Sequence, residues 1–118
     1  MDLCALYTML TAQMDGMLTG VLAAAAALAK KIAGNIPAPW GPRFGQRYGA
    51  AGTIAQKRRV VQRELARVNN IAAGAGAAAL PWVAQAIKDL KDLDAILAAA
   101  EALEATRDSF AALKAKFC

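Results

Sequence analysis

From Leu3 to Leu28 the apolar residues Leu3, Tyr7, Leu10, Met14, Met17, Val21, Ala24 and Leu28 fall at alternating steps of four and three. A stripe of this period turns slowly around a helix and is covered by a second helix lying along it. The spacing therefore predicts a long first helix over about residues 2–33, and it obliges that helix to find a helical partner in its own chain or another. A second line, Ala12, Gly16, Gly20 and Ala24, carries only small side chains, which lets another backbone approach closely.

The pattern stops at Gly34 and Asn35, which suit a helix end, and Pro37 and Pro39 forbid its continuation. Residues 34–52 hold three of the four prolines and five of the nine glycines. That density predicts an irregular connector, too long for a tight helical hairpin. Thr53 is a good N-cap for a shorter helix over about 53–70, with Ile54, Val61, Leu65 and Val68 on its apolar face. Gly74 and Gly76 then weaken or bend the chain over 71–80. Pro81 fits the first turn of a third helix over 81–117, carrying Val83, Ile87, Leu90, Leu93, Leu97, Ala100, Leu103, Phe110, Leu113 and Phe117. Its stripe slips in register between Ala100 and Leu103, so one partner need not serve its whole length.

The expected fold is all-α: two long helices and a shorter basic one, in a hairpin or bundle with an extended Pro/Gly connector. At 118 residues the chain fits a single domain over 1–118. About a quarter of those residues are Ala, which favours helix but contributes little transfer free energy, so the core must be thin.

Charge is segregated. Lys30, Lys31, Arg43, Arg47, Lys57, Arg58, Arg59, Arg63 and Arg67 face one acid, Glu64, between residues 30 and 67, while the chain from Val83 onward is nearly balanced. Arg59, Arg63 and Arg67 recur every four residues and so share a helix face, where like charges repel by a few tenths of a kcal/mol per pair, roughly. An anion should offset this. Nucleic-acid phosphates, an acidic protein surface, and the chain's own Asp89, Asp92, Asp94, Glu101 and Glu104 are the three candidates, and Arg43, Arg47, Lys57, Arg58, Arg59, Arg63 and Arg67 are the residues expected to meet it. Arg43-Phe44-Gly45 and Arg47-Tyr48-Gly49 form a short Arg-aromatic-Gly repeat, suited to stacking on bases and equally to anchoring a protein contact. Trp40, between Pro39 and Gly41, and Trp82, after Pro81, are each either a plug for one end of the bundle or an exposed anchor.

The chain has no His and one Ser, Ser109, which removes the usual general bases and hydroxyl nucleophiles; no catalytic residue and no cofactor is expected. Cys4 and Cys118 have neither the spacing nor the His neighbours of a zinc site. They are either incidental thiols or a terminal disulfide, within the chain or between neighbours. No basic residue precedes the first apolar run, so no signal peptide is expected. A membrane span over Leu3 to Leu28 is a minor alternative, weakened by Asp15 near its middle.

The Trp-x-Gly turn of small secreted helical hairpins is not met, since Gly41 and Pro42 follow Trp40 directly. Rod-shaped virus coat proteins share only a basic helix such as Arg58 to Arg67. The pattern as a whole suits a non-enzymatic structural or adaptor subunit of a large assembly, with a tailed-phage virion, put together in the bacterial cytoplasm, as the expected setting. Copies of itself and other subunits would meet Leu3, Tyr7, Leu10, Met14, Gly16, Met17, Gly20, Val21, Trp40, Phe44 and Tyr48. A small DNA-binding or DNA-coating protein is the alternative.

Overall fold

The computed structural model describes residues 2–74, 76 and 80–118, and among these the chain forms four α-helices and no strand. They are α1 (Leu3–Asn35), α2 (Trp40–Ala50), α3 (Ile54–Ala72) and α4 (Pro81–Phe117). The long helices α1 and α4 run antiparallel. A disulfide joins Cys4 to Cys118 at one end, Asp15 lies 3.5 Å from Arg107 along the way, and Lys31 lies 3.5 Å from Asp89 near the other end.

Local chemistry accounts for the helix starts. The Asp2 carboxylate accepts from the Ala5 amide at 2.7 Å, closing the first turn of α1. Thr53 and Gln56 form a reciprocal capping box at α3. Pro81 occupies the first turn of α4, where its missing N–H leaves no bond unmade.

The expected irregular connector over 34–52 is overturned for most of its length. α1 continues through Gly34 and Asn35, and residues 40–50 are the helix α2. Pro39 is the N-cap of α2 and Pro42 lies in its first turn, positions at which proline does not break a helix. Gly41 permits the close approach of α2 to the end of α1: a Cβ there would sit 2.2 Å from the Ile36 carbonyl oxygen and 2.3 Å from that of Ala33. Gly41, Phe44 and Tyr48, spaced by three and four, form the buried face of α2. What the sequence presents as helix breakers are a helix start and a docking contact. At the other junction α3 ends at Ala72, and Gly76 adopts a φ of 78°, in the left-handed region that favours glycine. Residues 75 and 77–79 of the expected bend lie outside the described residues.

The core is confined to one end. Ile32, Ile36, Phe44, Ile54, Val61, Val68, Val83, Leu90, Leu93, Leu97 and Ala100 are buried where α3 packs on α4 and α2 packs on α1 and α3, in what we call the head. Toward the disulfide, α1 and α4 continue alone as a two-helix stem, in which no described residue is buried before Leu18 or after Ala100. The register slip of α4 falls where its buried line ends, at Ala100. The molecule measures 64 × 21 × 17 Å with a radius of gyration of 18.1 Å. A compact domain of this length would have about 13–14 Å.

Candidate functional site

Adjacent residues of α3 are assigned to different partners. Arg58 turns to α4, where its Nε donates to Asp94 at 3.0 Å and its Nη1 to Glu101 at 3.3 Å. Hydrogen bonding to Asp94 raises the Arg58 pKa above its ordinary value, with the two carboxylates adding to the effect. Arg59, Arg63 and Arg67 instead line a groove of about 680 Å³ between α2 and α3, together with Arg47 from α2. Its base is apolar, with Phe44, Val60, Ala50 and Ala51, and Phe44 is 1% exposed.

Glu64 is the acid in this wall. It is buried, and Arg67 is clamped on it with Nε 3.1 Å and 3.2 Å from the two carboxylate oxygens. Arg67 also lies over the Trp40 ring, its guanidinium carbon 5.1 Å from the ring centroid. Trp40 is nevertheless 43% exposed. Arg47, Arg59 and Arg63 make no ion pair among the described residues, so the groove presents three uncompensated guanidinium groups beside a fourth that is neutralised.

The expected anion-binding set therefore divides. Arg58 is satisfied by α4, which is the third of the three candidates for its counter-charge. Lys57 donates to the Tyr48 carbonyl oxygen at 2.9 Å and lies 4.5 Å over that ring, fastening α3 to α2. Burial raises the Tyr48 pKa. Arg43 is exposed on α2, outside the groove lining. Of the Arg-aromatic-Gly repeat, the aromatic rings of Phe44 and Tyr48 face the core and are not free to stack on a ligand. Trp82 packs against the core as a plug; Trp40 does not.

The stem is a second surface of interest. Tyr7 stacks on Phe117 at 5.7 Å and lies 6.3 Å from Phe110, and Tyr7, Leu10, Met14 and Val21 are half-buried. The partner helix that α1 requires is thus supplied by α4 of the same chain. α4 covers only one side of the stripe: Leu3 and Met17 are 46% and 52% exposed, and Met9 and Phe117 are exposed as well. Beyond Met14 the buried line of α1 moves by one residue, to Leu18, Ala25, Ala29 and Ile32, leaving Met17 and Ala24 outside. Gly16 and Gly20 have nothing within 4 Å of a built Cβ, so the close helix approach expected along the small-residue line does not occur within the chain. By length and composition α1 passes as a membrane-crossing helix, with a mean hydropathy of 1.4 in its most apolar window.

Three features of the groove are not legible in the sequence: the burial of Glu64, the Trp40–Arg67 stack and Val60 in the groove lining. Only the first leaves a trace, since Glu64 and Arg67 are three apart on a helix and so adjacent. No cluster of three metal-ligating side chains occurs among the described residues. Compared with models of known families, with curated proteins and with solved structures, the chain matches none.

Proposed function

We propose that the protein is a non-enzymatic structural subunit that assembles with copies of itself through the stem. The observation that carries this reading is the exposed apolar flank of a two-helix stem with no buried residue of its own. Two helices cannot enclose a core, and a second pair laid against them completes the four-helix arrangement that can. A second copy is the economical source of that pair, because a two-fold axis brings the same residues, Leu3, Met17 and Phe117, from both sides. The accessible surface of 6815 Å² supports it, since a monomer of 12.3 kDa is expected to expose about 6,100 Å².

A tailed-phage virion remains the proposed setting. Disulfides persist on particles outside the reducing cytoplasm, and Cys4–Cys118 would hold the two stem helices together there. The membrane alternative is less well supported, because the α4 half of the stem carries Arg107, Asp108, Lys114 and Lys116 beside α1.

Light scattering on the purified protein tests the reading. The expected result is a dimer or larger species whose mass is unchanged by high salt and by reductant, and which Met17→Glu converts to monomer without loss of helicity. A monomer at every concentration would overturn it.

A further inference from the structure

We infer that the groove between α2 and α3 binds the phosphate backbone of single-stranded nucleic acid, without reading its sequence. Its cationic groups are all arginines, whose planar donor forks match phosphate oxygens, and Arg47, Arg59 and Arg63 have no carboxylate partner among the described residues. Arg59, Arg63 and Arg67 mark successive turns of α3, so they form a row about 12 Å long. Arg47 faces that row from α2, placing positive charge on both walls. This is the linear arrangement that a chain of evenly spaced phosphates requires.

Shape separates a single strand from a duplex. The arginines line a concavity between two helices, which a flexible single strand can enter, whereas the phosphates of a duplex lie on a stiff convex surface that meets only the rim of such a cleft. A single strand can lie in a cleft and stack its bases on an aromatic ring at the edge. Trp40 stands in that position, tied to the arginine row by Arg67 and 43% exposed.

An acidic protein partner fits less well. Protein contacts draw most of their energy from Trp, Tyr and Arg side chains that fill well-packed, fully desolvated pockets near the centre of an interface. Here Phe44 at the groove base is 1% exposed and already covered. What the groove offers is three guanidinium groups, unpaired among the described residues, above small apolar side chains, Val60, Ala50 and Ala51, with one ring at the edge.

The test is fluorescence anisotropy of a labelled oligo-dT of about 12 nucleotides, titrated with the intact disulfide-bonded protein at about 50 and about 200 mM salt. Binding should weaken by about tenfold or more across that range, and Arg59→Ala with Arg63→Ala should weaken it by about tenfold at the lower salt. Trp40→Leu should weaken it by about fivefold, and Lys116→Ala, on the stem, should leave it unchanged. Circular dichroism of each variant checks that the helices are retained. Failure to bind oligo-dT at the lower salt would overturn the proposal, as would equal binding by the folded double variant. Tighter binding of poly-Glu than of oligo-dT would also overturn it and assign the groove to an acidic protein. Each of these outcomes is independent of whether the stem self-associates.

Discussion

Arg58 and Arg59 are neighbours in sequence and serve different sides of α3: Arg58 is held by Asp94 and Glu101 of α4, and Arg59 lines the open groove toward α2. One is part of the fold, and the other is available to a ligand. The 100° turn between consecutive helical residues makes this division, and no property of either side chain does.

Arg58→Ala should therefore cost stability, and Arg59→Ala should not. Ion pairs of this half-exposed kind contribute little singly, but Arg58 bridges two carboxylates, so a loss of about 1 kcal/mol is expected in urea unfolding. Arg59→Ala should change the unfolding free energy by no more than about 0.5 kcal/mol.

The carboxylate of Asp89 is 3% exposed and accepts from Gln85 at 2.9 Å through one oxygen, while the other has Lys31 at 3.5 Å and, among the described residues, no hydrogen bond. Lys31→Ala leaves that second oxygen without a compensating charge and should destabilise the protein by about 1–3 kcal/mol. Lys30→Ala removes an exposed cation with no ion pair among the described residues and should lie within about 0.5 kcal/mol of the parent. Equal effects of the two would show that Lys31 has no special role in the head.

The glycines divide by what surrounds them. Gly41→Ala forces its Cβ onto the backbone carbonyl oxygens of Ala33 in α1 and Ile36 at its C-cap and should destabilise by about 1–3 kcal/mol, with loss of protection from hydrogen exchange across α2. Gly20→Ala adds a methyl in open space within a helix and should stabilise the chain by about 0.5–1 kcal/mol. A destabilising Gly20→Ala, seen only at concentrations where the protein is oligomeric, would place a neighbouring copy on that line.

Burial holds the Tyr48 phenol in its neutral form and raises its pKa above that of the unfolded chain. The folded state therefore binds this proton more tightly, so its contribution to stability is complete below the unfolded value, about 10, and is lost as pH rises through the folded value. Thermal unfolding followed from pH 8 to 11, roughly, should show Tm falling at the alkaline end, and Tyr48→Phe should flatten that fall. An identical decline in the variant would show that Tyr48 is not its source.

The sequence by itself determined the helices that carry strong periodicity. α4 begins at Pro81 as expected, α3 begins after the Thr53 cap, and α1 overruns its expected end by two residues, because periodic apolar spacing and capping chemistry act over one or two turns and are written locally. The register slip near Ala100 coincides with the end of the buried line on α4. Only the tertiary structure decided α2, since whether Gly41, Gly45 and Pro42 break a helix or dock one depends on α1 lying against them. It alone decided which basic residues are spent on α4 and which line the groove, and which edge of the α1 stripe is covered. The physical reason is common to all three: local sequence fixes the direction in which a side chain leaves its helix, and packing fixes what that direction meets.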